Sequence, residues 1–290
     1  MTDNDRKETG TAMDQHNGPG PRVSVVIPTR NEARNIEHVL ATLPDDVHEV
    51  LVVDGGSADG TVDVARAARP GIRVVQQPGT GKGDALAAGF AECTGDVVVM
   101  LDADGSADGR EIPRFVEALV EGADLAKGSR FLKGGGSTDL THLRRAGNKC
   151  LCAIVNVLYG TRYSDLCYGY NAAWVAQLRD LELDCAGFEV ETVLNIRSAK
   201  SRLRVTEVPS FESPRLHGES NLRTFRDGWR VLTAIFRERR SGAVPFARLE
   251  PAPPVPPLSD IAPVPPLPQV ATVPALPMVH ASQVTDFDSA

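Results

Sequence analysis

The chain has 290 residues, 42% hydrophobic and 24% charged, with a formal net charge of −7. Those proportions suit an ordinary globular protein, and the negative balance excludes a nucleic-acid partner as the leading expectation, since phosphates call for a basic surface. No run approaches the ~18 continuous apolar residues of a membrane span, and five cysteines, an odd number, suit reduced thiols better than a disulfide framework.

Residues 1–21 are polar and glycine-containing, lack the apolar core of a signal peptide, and read as a disordered extension. The expected location is therefore cytoplasmic, with any membrane contact peripheral and at the inner face of the cell membrane. Val23 to Pro28 (VSVVIP) then reads as a strand. Ile36, Val39, Leu40 and Leu43 follow on one helical face. Glu49 to Asp54 (EVLVVD) is a second strand and Asp59 to Ala68 a second helix. Ile72 to Gln77 (IRVVQQ) is a third strand, Lys82 to Cys93 a third helix, and Asp96 to Asp102 (DVVVMLD) a fourth strand. Strand, helix, strand at this rhythm implies right-handed crossovers and an α/β fold with a mostly parallel sheet flanked by helices.

The second half opens with ADLAKGSRF and a glycine-rich loop, Gly134 to Gly136. Helical patterns follow at 143–159 and 189–200, and a strand at 204–209. In 222–240, Leu222, Phe225, Trp229, Leu232 and Phe236 recur at steps of three and four, one apolar stripe on a helix. Six arginines in that segment face only two acids, Asp227 and Glu238. The stripe packs on the domain, the default for an amphipathic helix, or on a membrane surface. From residue 241 onward lie 12 of the 21 prolines. Such a segment favours polyproline II over a packed core; it reads as a disordered tail, either a passive extension or a docking ligand for a protein partner. The domain expectation is thus 1–21 extension, 22–240 single catalytic domain (halves 22–130 and 131–240), and 241–290 tail.

Parallel sheets bind ligands at the carboxyl ends of their strands. The expected ends carry Pro28-Thr29-Arg30-Asn31-Glu32, Asp54-Gly55-Gly56-Ser57 and Asp102-Ala103-Asp104, so polar and acidic groups converge on one edge. Side chains two residues apart on a strand point the same way. Asp102 and Asp104 would then bind a hard divalent cation, leaving coordination sites for substrate phosphates. A turn-forming role for the two aspartates is the alternative. PGTGKGDA is not a phosphate loop, because Gly83 rather than Ser or Thr follows Lys82, and the first strand ends without the G-x-G-x-x-G of a dinucleotide fold.

Taken in order, VVIPTRNEARNI, EVLVVDGGSADGT, GKGDAL, GDVVVMLDADGS and AKGSRF resemble the inverting family 2 glycosyltransferases, which have the GT-A (Rossmann-like) fold. RRAGNKCL, YSDLCYGYNA, GFEVETVLNIRSAK, TEVPSFE and RLHGESNL narrow the resemblance to the dolichyl-phosphate (polyprenyl-phosphate) mannose synthase branch, over about residues 22–240. The resemblance implies that Pro28, Arg30, Glu32, Val52 and Asp54 hold the base and ribose of a nucleotide-sugar donor. It implies that Asp102, Ala103 and Asp104 lie beside the diphosphate with Mg2+ or Mn2+. Arg130 and Arg215 would clamp phosphate oxygens, and Lys82 would lie near the nucleotide; a surface ion pair, a core role and an exposed helix start are the structural readings of Arg130, Val52 and Lys82.

Several positions depart from the family pattern. Gly55 stands where a second acid is usual, Arg30 where a tyrosine is expected, and Gly105-Ser106 where leucine and a metal-binding glutamine follow the carboxylates. Asn171 and Asn221 replace two cations near the sugar or acceptor phosphates. The leading expectation is transfer of a hexose from a UDP- or GDP-sugar to a polyprenyl phosphate, with Arg144 or Arg145 on the acceptor side. A same-fold alternative acts on a hydroxyl and needs a carboxylate base within hydrogen-bond reach, for which Asp165, Glu189 and Glu191 are candidates. A catalytically silent sugar-nucleotide-binding protein is the third reading.

Overall fold

The computed structural model describes residues 20–218 and 224–241. The expected N-terminal extension up to residue 19, Asn221, Leu222 and the proline-rich tail from residue 242 lie outside the described residues. The first half runs β1 (Val23–Thr29), α1 (Ile36–Thr42), β2 (Glu49–Asp54), α2 (Thr61–Ala68), β3 (Arg73–Gln76), α3 (Lys82–Glu92), β4 (Val97–Met100) and α4 (Ile112–Val120). The second half runs β5 (Leu125–Ser129), β6 (Gly136–Ser137), α5 (His142–Tyr159), β7 (Asn171–Trp174), α6 (Val175–Asp180), α7 (Val190–Lys200), β8 (Val205–Pro209), β9 (Phe211–Glu212) and α8 (Thr224–Arg240).

A seven-stranded sheet has the order β3-β2-β1-β4-β7-β5-β8. The strands β1 to β4 pair in parallel, as does β5 with β8, whereas β7 runs antiparallel to both its neighbours. Apart from Val23, the valines of β1, β2 and β4 are buried on both faces, which is why these strands read as apolar runs. One core lies under α1 and α4, a second under α3 and α7, and a third joins α5, α7 and α8.

Because β7 is reversed, its first residues meet the carboxyl end of β4: Asn171 lies opposite Met100. One edge of the sheet therefore gathers the ends of β1, β2, β4, β5 and β8 together with the loop that enters β7. The α5 helix begins on Thr141, whose hydroxyl accepts from the Arg144 N–H at 3.3 Å, and stops at Gly160, with φ 70°. Midway along it, buried Asn148 Oδ1 accepts from the backbone N–H groups of Leu166 and Cys167, tying the 164–170 loop to that helix.

The three aromatics of the expected stripe on α8 do not pack on the domain, and Leu232 is half-buried. Its inward face is Val231, Ala234 and Ile235, with Asp227 and Glu238 also turned inward, while Phe225, Trp229 and Phe236 are 82%, 70% and 47% exposed. Glu238 is held at 2.8 Å by Arg197 and at 3.5 Å by Lys200, both from α7. Those two cations fix which face of the helix turns in. No helix among the described residues is long and apolar enough to cross a membrane.

Candidate active site

The acidic edge is built by short loops that brace one another. In the loop after β1, Asn31 takes the left-handed conformation (φ 56°); its N–H donates to Ser57 Oγ at 2.9 Å and its Oδ1 accepts from the Ala58 N–H at 2.9 Å. Asp54, buried at the end of β2, accepts from the N–H groups of Gly56 and Ser57 at 3.2 Å, shaping its own turn. Glu32 is buried, with Asn35 Nδ2 donating to it at 2.5 Å and Arg215 paired on its other oxygen. Pro28 is half-buried within β1, and Arg30 is exposed just beyond it. Val52 is wholly buried and packs in the core of β2.

Asp102 and Asp104 do not sit on the strand. β4 ends at Met100, and the two aspartates lie in the following turn, with buried Ala103 between them. Their carboxylates are engaged by different cations. Asp104 accepts from the Ser106 N–H at 3.0 Å and faces Arg215 at 3.4 Å. Asp102 lies 2.6 Å from the Lys82 ammonium, which also reaches Glu191 at 2.7 Å. Burial opposes the charge on Lys82, but the two carboxylates outweigh it and raise its pKa above the ordinary lysine value.

Two glycines border that contact, and the second meets backbone. A Cβ on Gly169 would stand 2.5 Å from the Lys82 nitrogen and 2.7 Å from Asp102 Oδ2. A Cβ on Gly83 would stand 1.9 Å from the Cys185 carbonyl oxygen, and the Gly83 N–H donates to Ala186 O at 2.9 Å. The GKG start of α3 is thus docked on the segment leading into α7, which carries Glu191 to Lys82. In the sequence, Gly83 beside Lys82 was a signal for this contact, whereas Gly169, between Tyr168 and Tyr170, carried none.

The cluster of Asp102, Asp104, Glu32 and Glu191 carries four carboxylates against the two cations Lys82 and Arg215, a formal excess of two negative charges. No group of three or more His, Cys, Asp or Glu forms a metal cage among the described residues. Two partly exposed carboxylates with hard oxygens fit Mg2+ or Mn2+ that shares its coordination sphere with substrate phosphates.

Other expected site residues take different places. Arg130 is engaged within the protein: Nε and Nη2 bind Asp165 at 2.7 and 2.9 Å, and Nη1 lies 3.0 Å from Glu212. Asp165 is 0% exposed. Burial opposes its ionisation, yet hydrogen bonds and charge from Arg130 win and lower its pKa. A carboxylate held in a buried ion pair with a lowered pKa is a weak base. Asn171 is also fully buried, donating to Tyr168 O at 3.1 Å, so its side chain does not line an acceptor channel. Glu189 accepts from the Gly187 N–H at 3.3 Å, while its Oε2 is buried without a hydrogen-bond partner among the described residues. Arg144 lies 3.7 Å from Asp139, and exposed Arg145 stacks over Phe131 at 5.4 Å from the ring centroid.

Comparison with known proteins agrees with this architecture. Residues 24–189 match the family described as glycosyl transferase family 2. Glycosyltransferase AglJ of Haloferax volcanii is 33% identical over 76% of this chain and 72% of its own length. An undecaprenyl-phosphate mannosyltransferase of Micrococcus luteus is 37% identical over 69% of this chain and 87% of its own. Among solved structures, glucosyl-3-phosphoglycerate synthase from Mycobacterium tuberculosis, in complex with Mn2+, UDP and glucosyl-3-phosphoglycerate, aligns with a TM-score of 0.58 and 27% identity over 76% of this chain and 80% of that one. The matched span includes nearly all of β1, the strands β2 to β4, the acidic turn and the Lys82–Asp102 pair, and ends just before Glu191; the mostly parallel sheet is that of the GT-A fold. The chain belongs to glycosyl transferase family 2 and is a glycosyltransferase.

Proposed function

We propose that this glycosyltransferase moves a hexose from a UDP- or GDP-sugar to a polyprenyl phosphate with inversion at the anomeric carbon. The observation that supports the acceptor choice is the state of two of the three expected bases. Asp165 is spent on Arg130, and Glu191 on Lys82. A hydroxyl acceptor needs a carboxylate ready to receive its proton, whereas a phosphate is already an anion. One of its oxygens forms the new bond to the anomeric carbon while the bond to the nucleotide diphosphate breaks on the opposite face. The name of the M. luteus relative supports this acceptor class.

In this reading Glu32 and Asp54 shape the loops that receive the nucleotide, Pro28 and Arg30 flank it, and Arg215 faces the diphosphate side. Asp102 and Asp104 would hold Mg2+ or Mn2+ brought in with the donor. Such an ion, once bound, supplies positive charge to the departing diphosphate. Mn2+ and UDP in the M. tuberculosis neighbour support that donor class. A panel of UDP- and GDP-hexoses, scored for hydrolysis or transfer with Mg2+, with Mn2+ and with chelator, tests it; no metal-dependent turnover of any of them would reject the reading.

The membrane contact expected at 222–240 belongs to the same proposal. With Glu238 neutralised from within, α8 presents Phe225, Trp229 and Phe236 outward beside exposed Arg226, Arg230, Arg237, Arg239 and Arg240. Aromatics flanked by arginines suit the boundary of an anionic bilayer, where a polyprenyl acceptor resides. A second reading, a hydroxyl acceptor on a phosphorylated small metabolite, is favoured by the unpartnered oxygen of Glu189 and by the product named in the M. tuberculosis complex.

A further inference from the structure

We propose that Lys82 is a built-in counter-cation that closes Asp102 to free metal, so that the divalent ion enters efficiently only together with the donor diphosphate. The inference rests on the nucleotide-sugar reading above and adds an order of binding to it. Three observations carry it. The ammonium lies within direct ion-pair distance of both Asp102 and Glu191, at 2.6 and 2.7 Å. Its position is constructed rather than incidental, because a Cβ at 83 would stand 1.9 Å from the backbone carbonyl oxygen of Cys185, so glycine there lets the start of α3 reach the segment before α7. Asp104 has its own counter-cation in Arg215, so neither aspartate presents a bare pair of oxygens.

Two like charges compete for one anion. A divalent ion approaching Asp102 alone meets the lysine at close range, and their repulsion weakens its binding. A diphosphate changes the balance by offering new anionic oxygens. The ammonium then moves from Asp102 toward a diphosphate oxygen while Glu191 keeps hold of it, and Asp102 is released to the metal. Glu191 is accordingly a positioning residue: it retains Lys82 at the site in both states.

The test is Mn2+ binding to the full-length, nucleotide-free protein, measured by electron paramagnetic resonance. Lys82→Met is expected to bind Mn2+ at least about tenfold more tightly than wild type. Lys82→Gln serves as a second neutral variant, and both are checked for a native thermal transition. Glu191→Gln, which leaves the ammonium on Asp102, should not tighten Mn2+ binding. With saturating UDP the advantage of the Lys82 variants should vanish or reverse. Unchanged or weaker Mn2+ affinity in both folded Lys82 variants would overturn the proposal, as would equal tightening by Glu191→Gln. The UDP arm separates the two readings: wild type that binds no UDP or GDP in Mn2+ overturns the donor reading and the ordered entry with it, whereas nucleotide binding with unaltered free-Mn2+ affinity in the Lys82 variants overturns the counter-cation alone.

Discussion

Arg130 and Asp165 form a two-pronged ion pair within the protein, with Nε and Nη2 at 2.7 and 2.9 Å from the two carboxylate oxygens. Arg130 also spans to Glu212 and stacks over Tyr168, 4.8 Å from the ring centroid. The pair therefore joins the end of β5, the 164–170 loop and β9. Removing one partner of a buried pair strands the other charge, so Asp165→Ala should cost about 3–5 kcal/mol of stability, read by denaturant unfolding.

The same pair sets an acid dependence. Asp165 has a lowered pKa in the folded chain, so its contribution is present above the unfolded value of roughly 3.9 and fades as pH falls through the folded pKa. Wild-type stability should fall on acidification below about pH 4, and Asp165→Asn should flatten that part of the profile. An unchanged profile in a folded Asp165→Asn protein would show that the pair does not govern it.

Asp104 is partly exposed and faces Arg215 at 3.4 Å, outside the packed core. Asp104→Asn should leave the thermal transition near that of wild type but lower transfer at least about a hundredfold, the scale of losing a group that stabilises transition-state charge. Near-wild-type turnover at saturating Mg2+ or Mn2+ would remove Asp104 from the site.

The sequence disclosed the β1 to β4 half and its acidic edge because buried parallel strands leave continuous valine-rich runs, each ending in a polar loop. β5 and β7 were less legible. LAKGS and NAAW lack β-branched residues, and Lys127 is buried in the middle of β5, 3.3 Å from Glu207 on β8. Pairing across the sheet makes these strands, and local propensity does not reveal it. For the same reason Asp165 read as a candidate base: its partner Arg130 lies 35 residues away. On α8 the aromatic spacing marked an apolar stripe correctly but not its direction, which depends on Arg197 and Lys200 drawing Glu238 inward.

Arg145 stands exposed near the start of α5, over Phe131. If it meets the acceptor phosphate, Arg145→Ala should raise the KM for polyprenyl phosphate about ten- to a hundredfold, the loss expected for a charge-assisted hydrogen bond. Donor hydrolysis without acceptor should change little. A KM that stays put would place the acceptor phosphate elsewhere; Asn221→Lys, which restores a family cation, should lower it.

The outward face of α8 should give salt-sensitive binding to anionic vesicles. Each arginine near the surface contributes on the order of 1 kcal/mol, so changing Arg237, Arg239 and Arg240 together to glutamine should weaken binding markedly in a flotation assay. Trp229→Ser should weaken it further by removing an aromatic anchor. Binding indifferent to salt and to all four substitutions would place any membrane contact on another surface.

The acceptor is the central claim, and one side-by-side assay addresses it most directly. Purified protein would receive a hexose-labelled UDP- or GDP-sugar with Mg2+ or Mn2+, and either undecaprenyl phosphate in detergent or 3-phosphoglycerate, with the label followed into lipid and aqueous fractions. The account predicts a metal-dependent, lipid-extractable hexosyl phosphate of inverted anomeric configuration, retained when Glu189 is changed to Gln. Label confined to the hydroxyl acceptor, with undecaprenyl phosphate inert and Glu189→Gln inactive, would contradict it.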